Sequence, residues 1–407
     1  MKNADELLTE VMSIASVNGR DDEGAVAEYL RGYFAQCGIT AETDRIDRLH
    51  ANVTAYIPGK KASAPILWNG HLDTVPYGNI EEWNTDPAVP VLKDGKLYGR
   101  GASDMKSGLC AMVYALCESR RKGIIPEHPI VFAGTCDEEK GGIGARRVRR
   151  KIRDLGIKKI LIGEPTDLRI GSAQKGCLWL KLTIDGKTSH AAYPEQGASA
   201  VTAATMIHQK LEQTLEVYLN PLLGTTSCSI TQIKGGVAPN MIPDSCEILL
   251  DIRFTPDLTE KKILACLEGV TSEIIREMSG KTVNAGGSAA DEGSPETGCA
   301  GNSPPDPLIR ARIEVVNSRR AVETGMDCPL SRELSEAMRS SGLSEKEIGI
   351  HFFTDASVIA DDMTDAEILL FGPGLPSLAH KPNEYVSMNR YRKAIEVLEH
   401  MIGSSDT

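Results

Sequence analysis

The stretch ILWNGHLD, Ile66 to Asp73, decides how this chain is read. Ile66 to Gly70 is a short apolar-rich run of strand length, and it breaks off on a histidine and an aspartate. Side chains alternate along a strand, so His71 and Asp73, two apart, are placed on the same side of its end. Three more runs repeat the pattern: Ile130 to Gly134 before Asp137, Glu138 and Glu139; Ile160 to Gly163 before Glu164; and Ile368 to Gly372 before His380. Such runs, each leading toward a helical pattern, are the signature of a mostly parallel α/β sheet. In open sheets of that kind chemistry sits beyond the carboxyl ends of the strands, which is where all these polar residues fall.

Between about Cys177 and Val316 the periodicity changes. Leu178 to Asp185, Ser227 to Ile233, Glu247 to Phe254 and Ile309 to Val315 read as strands of alternating polarity, and Ala198 to Leu215 and Lys261 to Met278 read as helices. The order β-α-β-β-α-β is that of a ferredoxin-like module. The expected organisation is therefore a first domain made of residues 1–176 and 317–407, with an α+β lid or dimerisation domain, 177–316, inserted in it. Residues 284–307, dense in Gly, Ser, Ala and Pro, read as a flexible surface excursion of that lid.

Bulk properties narrow the function. Over 407 residues the formal net charge is −11, with 41% hydrophobic and 25% charged residues. This is an ordinary globular mixture, and it lacks the concentrated Lys and Arg of a nucleic-acid surface. The amphipathic start MKNADELLTEVMSIAS does not read as a secretory signal, and no run approaches the roughly 18 apolar residues of a membrane span. Ten cysteines without a CxxC pair or framework spacing suit reduced thiols, so a cytoplasmic location is expected.

The residues at the strand ends carry the chemistry. His71 followed by Asp73 suits a metal ligand with a carboxylate that orients its ring, although a turn-capping Asp and a polar core His would look the same. Asp104, in YGRGASDMKSG, stands before a helical pattern running from about Lys106 to Arg120. It fits either an N-cap or a carboxylate bridging two metal ions. Asp137, Glu138 and Glu139 could be a solvated acidic turn, but they directly follow a buried-looking strand. Together with Glu164 and His380 the set offers two imidazoles and several carboxylates. That mixed N/O field suits zinc, or cobalt or manganese, and its lack of thiolates argues against a structural zinc site.

GHLDTVP, YGRGASDMKSG, CDEEKGGIGA, GEPT and AHKPNEYV, in this order, closely resemble the M20 metallopeptidase family, in particular its acetylornithine deacetylase and succinyl-diaminopimelate desuccinylase branch. The resemblance implies a zinc-hydrolase catalytic domain with an inserted lid, holding two divalent metal ions. By similarity, His71 and Glu164 would hold one ion, Glu139 and His380 the other, and Asp104 would bridge them. Asp73 would orient His71, Glu138 would be the general base, and the Asp104–Met105 peptide would be cis. His190, in KTSHAAYPEQG, would reach the active site of a partner subunit, which implies a homodimer formed through the lid. Asn240, in GGVAPNMIPD, and Arg253, in LDIRF, match positions that contact substrate; Arg253 could equally be half of an ion pair on a strand face.

The implied activity is removal of an acyl group from an N-acyl amino acid by metal-activated water. A di- or tripeptidase or carboxypeptidase of the same family is the first alternative, and a non-catalytic metal-binding relative the second. HFFTDASV keeps a Thr354-Asp355 pair but lacks the longer Ser-Asp-Gly-Arg-Phe pattern associated with desuccinylases.

Overall fold

In a computed structural model of the chain, residues 2–285, 308–361, 363 and 365–403 are described. Two compact units result, Met1–Gln174 with Val322–Thr407, and Lys175–Ala321. The stretch 284–307, expected to be an excursion, lies outside the described residues from 286 onward; before it, the helix Glu260–Ala285 continues past the Met278 expected from sequence.

The first unit is built on a sheet of nine strands among the described residues. Its order is Ala41–Arg45, Ala51–Ile57, Ile130–Thr135, Ile66–His71, Lys159–Ile162, Glu367–Leu370, Ile170–Gln174 and Val322–Glu323, with Glu347–Ile350 also beside Ile170–Gln174. The four runs singled out in the sequence are its four central neighbours, and they pair in parallel. Antiparallel pairs lie toward both edges. All six residues of Ile66–His71 and of Ile130–Thr135 are buried, as strands covered on both faces must be. Register aligns the strand ends: His71 stands opposite Thr135, and Leu370 opposite Ile162. The polar residues that follow each strand therefore leave the sheet along one edge.

A helix, Lys106–Arg121, packs against this sheet and the C-terminal helix Met388–Gly403 packs against it in turn. Leu109, Met112 and Leu116 are essentially inaccessible to solvent. Burial of each such side chain contributes about 1.5–3 kcal/mol. Two glycines make the contact with the sheet close, since a Cβ on Gly108 would lie 1.7 Å from the carbonyl oxygen of Gly163.

The second unit has a four-stranded antiparallel sheet in the order Ser227–Gly235, Ser245–Phe254, Gly176–Asp185, Arg310–Arg319. Leu178, Leu180, Leu182 and Ile184 all point inward, the period-2 pattern read from the sequence. They meet the helices Ala200–Glu216, N-capped by Ser199, and Glu260–Ala285. Among the described residues no helix is long and apolar enough to cross a membrane.

Candidate metal centre

His71 ends its strand with its ring buried and 1% exposed. Its Nε2 lies 3.1 Å from Oδ1 of Asp104, whose Oδ2 is 3.4 Å from Nε2 of His380. That same His380 nitrogen is 3.0 Å from Oε2 of Glu139. The chain thus brings together two imidazoles and two carboxylates from one strand end and three separate loops, with Asp104 in the middle. Donor atoms of His71, Asp104 and Glu139 all lie within 4.8 Å of one another. The helix begins only at Lys106, and the residue at its cap position, Met105, makes no side-chain cap bond. Asp104 is therefore not an N-cap. The Asp104–Met105 peptide is cis.

Glu138 and Glu164 are buried as well, 6% and 2% exposed, so the acidic triplet is no solvated turn. Electrostatics bind them to the cluster. Burial pushes the Glu164 carboxyl well above the usual range, and the charge of Asp104 pushes it further against the pull of His71. Glu138 is raised likewise, by burial first, with Asp355, Glu139 and Glu164 adding to it and His71 opposing. For His71, burial disfavours the charged ring, but the bond to Asp104 and the charges of Glu164 and Asp73 outweigh it and hold its pKa high. Asp104 stays below the usual range because the His71 bond and nearby positive charge overcome its burial.

Asp73 meets His71 through its backbone as well as through its charge. The Nδ1 of His71 meets the carbonyl oxygen of Asp73 at 2.9 Å, while the carboxylate stands 3.7 Å away. That carboxylate accepts the backbone N–H groups of Glu138, at 3.2 Å, and Glu139, at 3.1 Å, and the side-chain amide of Asn18 at 3.1 Å. It fixes the loop that presents both glutamates. In Asp73→Asn the new NH2 group would oppose one of those two N–H donors. Activity is expected to fall about 10–100-fold, the usual cost of losing a residue that orients ligands. Steady-state rates alongside metal content per protein check it.

Two contributors escaped the sequence reading. Asn18 donates to Asp73, to Glu23 at 3.1 Å and to Asp137 at 3.0 Å, from a segment with no motif to mark it. Asp355, 3% exposed, accepts a 2.5 Å bond from Thr135 at the end of the Ile130–Thr135 strand. The Thr354-Asp355 pair was visible, but nothing in its spacing tied it to the cluster. Asp137 turns inward on its own loop and accepts from the backbone N–H groups of Gly141 and Ile143.

His190, Asn240 and Arg253 belong to the second unit. The first two are neighbours there: His190 pairs with Met241 in an isolated bridge, and Ala191 N–H donates to the Asn240 carbonyl at 2.9 Å. Both residues are exposed. Arg253 directs Nε and Nη2 to the two oxygens of Asp251, at 2.7 and 3.0 Å. Its fork faces a carboxylate on its own strand.

The donor set fits divalent cations. Four clustered carboxylates, Asp104, Glu138, Glu139 and Glu164, face two imidazoles, an excess of buried negative charge that proteins balance with a partner or a metal. Oε1 of Glu139 is buried without a hydrogen-bond partner, a lone pair left over for a ligand.

Residues 67–404 match the sequence profile of Peptidase family M20/M25/M40. The chain is 26% identical over 427 aligned positions to a probable succinyl-diaminopimelate desuccinylase of Staphylococcus aureus, covering 97% of this chain and 95% of that one. It is 29% identical to an acetylornithine deacetylase of Myxococcus xanthus, covering 93% and 91%. Its fold superposes on an M20 family metallo-carboxypeptidase of Sulfolobus solfataricus with a TM-score of 0.76 at 17% identity, covering 99% of both chains.

Proposed function

The chain belongs to peptidase family M20/M25/M40, and on that premise we propose that it is a dimetal amidohydrolase that removes an acyl group from an N-acyl amino acid. Hydrolysis of an amide bond is the chemistry of the family; the acylated substrate is our inference. It is supported by full-length relatives named as a desuccinylase and a deacetylase, whereas likeness to a carboxypeptidase at 17% identity speaks for the fold alone. The observation that carries the proposal is the cluster of His71, Asp104 and Glu139, closed on its solvent side by the half-exposed ring of His380, with the buried carboxyls of Glu164 and Glu138 coupled to it.

In this reading His71 and Glu164 would hold one cation and Glu139 and His380 the other, with Asp104 shared between them. Zinc suits this N/O set best, with cobalt and manganese as alternatives. The ions supply Lewis acidity toward the amide carbonyl and toward water. The protein supplies the rest. Glu138 takes a proton from the attacking water on its carboxylate and passes it to the leaving nitrogen, and a carboxyl raised by burial is suited to hold it. Asp73 fixes Glu138 and Glu139 through their backbone N–H groups. Arg253 and Asn240 are assigned to the substrate, the Arg to a carboxylate that would displace Asp251 from its fork.

Turnover of N-acetyl or N-succinyl amino acids by metal-loaded protein is expected, to be abolished by chelator and restored by zinc, cobalt or manganese. Hydrolysis of dipeptides alone would move the protein to the peptidase reading. With neither class cleaved, a metal-binding relative without catalysis would remain.

We also infer a homodimer in which the partner subunit contributes the imidazole of position 190, since His190 is exposed and its Nδ1 is satisfied locally by Ala192 N–H. Mixing inactive His190→Ala protein with inactive Glu138→Gln protein is expected to restore activity, because one site of each mixed dimer is then complete. Mixtures that stay silent would place His190 in its own subunit's site or outside catalysis.

A further inference from the structure

Glu384 follows the His380 loop and is 0% exposed. Its Oε1 accepts the backbone N–H groups of Ser103 at 2.7 Å and Asp104 at 3.0 Å, and its Oε2 accepts Gly101 N–H at 3.1 Å and Arg100 Nη1 at 2.7 Å. Four donors thus converge on one carboxylate, three of them from the backbone that carries Asp104. Arg100, 4% exposed, reaches further, to the carbonyl oxygens of Pro76 at 3.2 Å and Lys381 at 3.3 Å, and its guanidinium lies 5.1 Å from the ring centre of Trp83. The pair therefore sits between the loops that follow His71, precede Asp104 and follow His380. That last loop needs holding, because His380 and Asn383 both have positive φ, which L side chains rarely adopt.

We propose that Glu384 is a positioning residue: with Arg100 it ties the Asp104 loop to the His380 loop and so sets how far apart these two side chains stand. A buried ion pair is a poor source of net stability, since desolvation offsets its attraction, but it is a strict geometric constraint when every oxygen is satisfied. Here both oxygens are. The inference rests on the metal-site reading of Asp104 and His380, and its test separates the two.

Glu384→Gln keeps shape and volume but has one acceptor oxygen, so either Ser103 and Asp104 N–H or Gly101 N–H and Arg100 must face an NH2 group. Zinc titration of the apoprotein by calorimetry is expected to show affinity about 10–100-fold weaker than wild type. Loss of folded protein alone would lower the zinc stoichiometry and the apparent kcat but leave the zinc dissociation constant and KM unchanged, so the weakened affinity is the deciding readout, with kcat per zinc-loaded site expected to stay low at saturating zinc. Wild-type affinity and wild-type kcat in the variant would overturn the proposal. Should the wild-type protein take up no zinc, cobalt or manganese, the metal reading itself fails, and the tie is then judged on the 15N resonances of the His380 imidazole. These should shift in Glu384→Gln; unchanged resonances overturn the tie. Where Glu384→Gln does not fold, Arg100→Lys keeps the charge but loses the reach to Pro76 and Lys381. It is expected to weaken zinc binding in the same direction, and wild-type binding there counts against the proposal.

Discussion

Glu138→Gln is expected to lower kcat by about 10²–10⁴-fold, the range that a positioned general base contributes, while metal uptake stays near wild type. The substitution keeps the volume of a buried side chain and leaves its backbone N–H on Asp73 untouched, so the loop should hold its course. What disappears is the ability to take and return a proton. The neighbouring Glu139 differs: its Oε2 lies against His380 and its Oε1 is without a partner, as befits a ligand. Glu139→Gln should therefore lose metal first and activity in consequence. Rates measured with metal content per protein separate the two variants. Were Glu138→Gln to lose the metal and Glu139→Gln to retain it, the assignments of base and ligand would have to be exchanged.

The difference between these neighbours shows what could be read from the sequence. Apolar runs that stop on His or acidic residues were legible, because a central parallel strand must be apolar throughout and its carboxyl end is where the sheet stops demanding it. The alternation Leu178, Leu180, Leu182, Ile184 was legible for the same reason, one face of an antiparallel strand being buried. Hydrogen-bond partners were another matter. Asp73 was read as orienting His71 through its carboxylate; its backbone carbonyl makes the hydrogen bond, and the carboxylate, 3.7 Å away, also serves Glu138 and Glu139. Two residues of spacing fix which side of a strand a residue is on, not which of its oxygens meets which nitrogen. Asn18 and Asp355 were missed because their contacts cross 55 and 220 positions of chain, a distance over which spacing carries no signal.

Glycines were missed too, and the tightest of them leads to the other large effect. Gly108→Ala is expected to damage both stability and activity, against the usual gain of about 1 kcal/mol when Gly becomes Ala inside a helix. The new Cβ would sit 1.7 Å from the Gly163 carbonyl oxygen, which is backbone and cannot rotate away. To reach an ordinary contact the helix Lys106–Arg121 must shift by more than 1 Å relative to the Lys159–Ile162 strand end. Overpacking of this kind costs about 1–3 kcal/mol, occasionally more, and outweighs the helix gain. Asp104 lies two residues before that helix, and Glu164 directly after Gly163, so the shift separates two clustered carboxylates. A misplacement of that size can cost on the order of 10²-fold in rate. Gly32→Ala is the control, a glycine within the helix Gly24–Gln36 whose added Cβ would meet nothing within 4 Å. It should raise the melting temperature slightly and leave turnover alone. Equal behaviour of the two variants, in thermal melts and in kcat, would mean that the helix does not need Gly108 in order to bring Asp104 up to Glu164.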